Sequence, residues 1–216
     1  MAHLSLVKSV SQLKEERRFN DELGLAGLGL VLTRGTVVEM AGEPSSGKTS
    51  IVLSLLAKLT NAGEICAAVD AADGFDPCIA TLAGVEMENL LWIRCGGDIE
   101  KAFMSADYLV QAKGFGAIWL NLCGLSTREL RRVPKTYWYR YRTRIKETPT
   151  LFMVTAPEPV TGSASHHALN FTREGSEWAG AGNFKLLRSL RIKLHSRREL
   201  WSQPIRAKVE VDYSDV

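Results

Sequence analysis

Eight consecutive residues, Gly42-Glu43-Pro44-Ser45-Ser46-Gly47-Lys48-Thr49, fit G-x-x-x-x-G-K-[ST] at every specified position. Each residue type has a task in holding a polyphosphate. Glycines let the backbone close around phosphate oxygens and present N–H groups, and the N-terminus of a following helix adds its dipole. Lys48 would neutralise the terminal phosphates, and the Thr49 hydroxyl would ligate Mg²⁺. Ser50 continues the first helical turn and belongs to the same candidate set. The plain alternative is a glycine turn that merely caps a buried helix.

The flanks supply what such a loop needs. An apolar, β-branched run at Thr36–Ala41 precedes it, and a helical pattern over Lys48–Asn61 comes after it, stopped by Gly63. Further strands are expected at Glu64–Asp70, Leu90–Arg94, Gly116–Leu122 and Thr150–Thr155. Helices are expected at Pro77–Ala83, Asp98–Lys113 and Pro134–Lys146, the last from Val133, Tyr137, Tyr141 and Ile145 at four-residue spacing. Residues 1–20 form a short leading segment and 21–216 one domain, in which Pro157–Asn183, rich in Pro, Gly, Ser and His, reads as a long flexible loop. An antiparallel pair, Leu186–Leu194 with Ile205–Tyr213, closes the chain. Strands alternating with helices predict an α/β fold, a mainly parallel twisted sheet flanked by helices and ending in an antiparallel hairpin.

The composition of the 216 residues, 45% hydrophobic and 24% charged with a net charge of +3, excludes a disordered chain. No apolar run is long enough to span a membrane, and the first residues lack a secretory signal. Four scattered cysteines without a Cys-x-x-Cys pair read as reduced thiols of a cytoplasmic protein. His166-His167 has no third ligand at metal spacing.

The charge is uneven. Eight basic residues face one acid between Arg128 and Lys146, and eight more face one acid between Lys185 and Lys208. In the first segment Arg128, Arg131, Arg132, Arg140, Arg142 and Arg144 interleave with Tyr137 and Trp138. Rings and cations together suit single-stranded nucleic acid or a protein partner. The same tyrosines and Trp138 could equally be core, with the arginines as a solvated face. Arg197 and Arg198 form a second basic point, at the tip between the last two strands.

Around the phosphate loop the sequence resembles the RecA recombinase family. Gly35-Thr36-Val37-Val38-Glu39-Met40 leads into Pro44–Thr49, and Ala68-Val69-Asp70-Ala71-Ala72-Asp73-Gly74-Phe75-Asp76-Pro77 resembles the family's second strand and its Asp-Pro. The resemblance runs over roughly residues 21–210, without the family's C-terminal domain and with little room for its N-terminal polymerisation arm. It implies a RecA-like P-loop core that binds ATP with Mg²⁺, with Asp76 at the adenine contact. It also implies three losses. Ala72 stands where the family has its glutamate base, Asn121 where it has the Walker B aspartate, and Thr155-Ala156 where it has a phosphate-sensing Asn-Gln pair. The chain is also similar to the ImuA-type proteins, which act with an error-prone polymerase in mutagenic repair. The expectation is therefore an accessory protein of DNA repair, recombination or translesion synthesis. It would bind ATP with little or no hydrolysis and act as an adaptor for a repair polymerase or other repair proteins. Direct contact with single-stranded DNA and self-association stay open, and an extended filament is not expected. A DNA-dependent ATPase and a nucleotide-free interaction module are the alternatives.

Overall fold

The computed structural model describes residues 22–25, 28–146, 148–180, 186–198 and 203–210. The expected leading segment 1–20 and the end of the last strand lie outside them.

The central strands are buried on both faces, so their sequences are nearly continuous apolar runs. They are β3 (Val37–Gly42), β4 (Cys66–Asp70), β6 (Ala117–Asn121) and β7 (Leu151–Ala156); β5 (Leu90–Arg94) is the edge strand on the parallel side, with Leu91 and Arg94 exposed. A small antiparallel hairpin, β1 (Glu22–Leu25) with β2 (Leu30–Thr33), precedes them. After them come β8 (His167–Ala179), β9 (Leu186–Ser196) and β10 (Ile205–Glu210). The eight-stranded sheet has the order β10-β9-β8-β3-β7-β6-β4-β5. Pairing is parallel from β8 through β5 and antiparallel along β8-β9-β10. The expected mixed sheet with its C-terminal antiparallel hairpin is therefore present.

Helices cover both faces. On one side α1 (Lys48–Asn61) and α2 (Pro77–Leu82) close a core with Leu55, Leu56, Trp119 and Met153. On the other, α3 (Ile99–Ala112), α4 (Thr127–Leu130) and α5 (Thr136–Ile145) close a second core around Phe103, Phe152 and Tyr141. Asp98 caps α3 by accepting the Lys101 amide at 3.0 Å. Ser126 and Glu129 form a capping box on α4.

The structure corrects the expected long loop. The second half of Pro157–Asn183 is β8, hydrogen-bonded to β3 on one side and β9 on the other. Its pattern is hidden for two reasons. Ala168, Leu169 and Phe171 are buried on both faces, which removes alternation there. Beyond them, register shifts between Arg173 and Gly175 and between Glu177 and Trp178 interrupt the period of two. Gly175 suits the first shift, since a Cβ there would meet the Arg191 guanidinium at 2.8 Å.

Among the described residues no helix is long and apolar enough to cross a membrane. All four cysteines are free thiols, Cys66 and Cys95 buried, Cys78 exposed. His167 is engaged inside the fold, its Nε2 accepting the Thr33 amide at 3.1 Å, and burial pushes its pKa down to about 4.

Candidate phosphate-binding site

The loop between β3 and α1 sits at the carboxyl edge of the sheet, at the strand flanked by β7 and β8. Its shape depends on glycine at two points. A side chain on Gly42 would place its Cβ 2.3 Å from the Phe171 carbonyl oxygen of β8. Gly47, the residue before α1, has φ 88°, in the left-handed region, and a Cβ there would press on Ile192. Ser45 also takes a left-handed φ, 58°, at the loop tip. Glu43, Pro44, Ser45, Thr49 and Ser50 are exposed, while Ser46, Gly47 and Lys48 are buried. A cleft of about 420 Å³ opens on the β8 side, between Gly42–Pro44, Pro157–Pro159 and Asn170–Arg173.

Lys48 turns back into the loop. Its ammonium donates to the Gly42 carbonyl at 2.6 Å, the Glu43 carbonyl at 2.8 Å and the Ser46 hydroxyl at 3.3 Å. Among the described residues no carboxylate accepts from it, and burial lowers its pKa, the Cys123 thiol beside it acting in the opposite direction. A buried cation paired only with dipoles is a site poised for an anion.

The neighbouring strand ends hold a hydrogen-bond chain that no sequence motif announces. The Trp119 indole donates to the Thr155 hydroxyl at 2.9 Å, and Thr155 donates to Asn121 Oδ1, also at 2.9 Å. Asn121 Oδ1 further accepts the Cys123 amide at 3.2 Å, while Asn121 Nδ2 donates to Asp70 Oδ1 at 3.2 Å. Asp70 also accepts the Gly74 amide at 3.1 Å and the Phe75 amide at 2.7 Å. Donor chemistry fixes every direction. An indole only donates, so Thr155 must pass its own proton on; Asn121 Oδ1 already accepts from Thr155 and the Cys123 amide, so the amide nitrogen is the atom turned to Asp70.

This chain predicts the outcome of restoring an acid at position 121. Asn121→Asp would set two carboxylates against each other in a site where Asp70 is fully buried. Such a pair shares a proton. The variant should lose about 2–4 kcal/mol of stability at pH 8. The loss should shrink as pH falls, because the raised carboxyl pKa favours the folded state only while protonated. Denaturant unfolding at pH 8 and pH 5 measures it, and a variant as stable as the parent at both would contradict the network.

The remaining sequence candidates are spread over the molecule. Asp76 caps α2, its Oδ1 accepting the Cys78 amide at 2.8 Å and the Ile79 amide at 3.3 Å. Ala72, half-buried, carries only a methyl group, which cannot accept a proton. Asp73, near it in sequence, is turned to the surface and ion-paired with Arg94 at 3.2 Å.

The basic, aromatic segment divides. Trp138 is 2% exposed and packs edge-on against Phe103 at 5.1 Å; Tyr137 is half-buried on the same ring. Trp138 is therefore core rather than a contact residue, since its place at the centre of the α5 stripe turns it inward. Arg140 and Arg144 both pair with Asp107 of α3, at 2.8 and 2.7 Å. Arg131 meets Glu158 at 3.3 Å and stays largely exposed. Arg128, Arg132 and Arg142 are exposed around α4 and α5.

Arg197 and Arg198 are not a free basic tip. Arg197 pairs with Glu39, a fully buried residue of β3, and Arg198 donates to the carbonyls of Gly162 at 3.0 Å and Ser165 at 2.9 Å. Glu39 itself accepts the amides of Val160 at 2.6 Å and Thr161 at 2.7 Å. The acceptors of Arg198 lie over thirty residues away in sequence, beyond any local pattern.

The sequence profile of the RecA N-terminal domain matches residues 14–123, which contain the loop and the ends of β4 and β6. The chain belongs to the RecA family. Protein RecA of Rubrobacter xylanophilus is 36% identical over 99 residues, covering 46% of this chain and 27% of that protein. Protein RecA of Borrelia duttonii is 35% identical over the same length, and that of Mesorhizobium japonicum 45% over 69 residues. The chain thus aligns with about a quarter of the first two relatives, 27% and 26%, and 18% of the third. In structure it is similar to the RadB recombinase, with a TM-score of 0.59 at 14% identity over 83% of this chain and 88% of that one. That likeness concerns the fold and covers more of the chain than the sequence matches do.

Proposed function

We propose that this RecA-family protein binds ATP through Gly42–Ser50 without appreciable hydrolysis, and serves as an accessory adaptor in DNA repair or recombination. The observation that carries the reading is the contrast within one site. The loop and its buried Lys48 are intact, while the polar side chains at the ends of β4, β6 and β7 are committed to one another. A general base must reach the proton that it removes. Asp70 is buried beneath three donors, and Asp73 faces Arg94. Titration calorimetry with ATP should show binding, weakened at least tenfold in Lys48→Ala, or about 1.4 kcal/mol. Equal affinity in that variant would contradict the assignment.

One observation favours a second reading. Lys48 already has three acceptors inside the loop, which is how a nucleotide-free interaction module would keep it. The same titration separates the two.

The exposed cations Arg128, Arg132 and Arg142 support an anionic or acidic partner, single-stranded DNA or a repair protein such as a polymerase. Salt distinguishes them. DNA affinity should fall with a log–log slope of about −0.7 per phosphate neutralised. Replacing the three arginines with Ser should flatten that slope, measured by fluorescence anisotropy of a labelled oligonucleotide. No change in slope would remove this face from DNA binding. A salt-insensitive complex would point to a protein interface.

A further inference from the structure

We propose that this site takes a nucleoside polyphosphate without a divalent cation held by the protein, so that nucleotide affinity is nearly independent of Mg²⁺. The proposal rests on the nucleotide-binding reading above and concerns how the charge is neutralised.

A magnesium ion at such a loop needs hard oxygen ligands, usually a carboxylate holding the ion or its waters beside the phosphates. The donor set here does not fit. Asn121 carries no charge, and its one oxygen already accepts from Thr155 and the Cys123 amide, which uses both lone pairs. Turning the amide over would break those two bonds and bring its oxygen against Asp70. Asp70 has no exposed surface and accepts from two amides and Asn121. Asp73 lies at a left-handed φ of 55°, paired with Arg94. Glu43 and Glu158 border the cleft, but among the described residues no three His, Cys, Asp or Glu side chains stand together as a metal cluster. Thr49 offers a single hydroxyl.

The protein instead carries its own cation. Lys48 is buried, has no carboxylate partner among the described residues and is 2.6–3.3 Å from three loop oxygens that a phosphate would replace. Those contacts break on binding, and the freed ammonium then faces the anion in a site of low dielectric, where it counts for more than in water. The loop amides and the N-terminus of α1 add to it. Between the loop and the ends of β4 and β6, a metal that arrives with the nucleotide therefore meets the Thr49 hydroxyl but no uncommitted carboxylate.

The test is calorimetric titration of the whole protein with ATP, once in millimolar Mg²⁺ and once in EDTA, alongside Lys48→Ala. The proposal expects dissociation constants within about fivefold of each other in the two buffers. A larger loss in EDTA overturns it, because some protein group must then be holding the ion. Failure to bind ATP in either buffer, or equal binding by Lys48→Ala, overturns the nucleotide reading itself.

Discussion

Replacing Glu39 with Ala should destabilise the protein by about 3–5 kcal/mol, the range for removing one partner of a buried charge pair. Glu39 lies on β3, between β7 and β8, and it is fully buried. Its carboxylate satisfies the amides of Val160 and Thr161 and the guanidinium of Arg197 at the end of β9. Truncation would strand all three groups at once, and each buried unpaired donor carries its own desolvation cost. Glu39→Gln should cost less, because an amide oxygen still accepts from the backbone. Urea unfolding of both variants gives the order. A loss below about 1 kcal/mol in Glu39→Ala would show that the carboxylate does not clamp the chain after β7. The clamp also bears on the site, since Pro157–Pro159, just before the clamped amides, form one wall of the cleft.

Trp138→Ala should be comparably severe, about 3–5 kcal/mol, because it empties a large volume inside a packed core. The indole sits edge-on to Phe103 and Tyr141, and the Tyr141 hydroxyl donates to the Phe103 carbonyl at 2.8 Å. Thermal or denaturant unfolding measures the loss. Full stability with impaired partner binding would mean that the ring faces outward after all. Substitution of exposed Arg142 should stay within about 0.5 kcal/mol, which separates the surface of α5 from its core face.

Legibility tracks the range of the interactions involved. Gly42–Thr49 and its flanks are readable because loop, strand and helix are adjacent in sequence and each obeys a local rule. β5 is readable for the same reason: Leu90–Arg94 is a short, mostly apolar run that Cys95-Gly96-Gly97 ends. β8 is not, because burial on both faces erases alternation at Ala168–Phe171 and the shift at Gly175 disrupts it afterwards. In the site, the uncharged residues Ala72 and Asn121, where the resemblance implies acids, can be read one residue at a time. The chain linking Trp119, Thr155, Asn121 and Asp70 cannot, since its partners stand 34 to 51 residues apart. Arg197 and Arg198 mislead for a related reason. A pair of arginines at a strand end looks like a surface patch until Glu39 and the Gly162 and Ser165 carbonyls are placed beneath it.

The proposed ATP site would hold nucleotide and not consume it. Single-turnover phosphate release tests it most directly: protein in excess over labelled ATP and Mg²⁺, with and without single-stranded DNA, beside Lys48→Ala. The account predicts that bound ATP is recovered intact and that phosphate appears no faster than with the variant. Phosphate release that rises with protein concentration and disappears in Lys48→Ala would contradict it, and would require a base that the buried Asp70 and the ion-paired Asp73 do not provide.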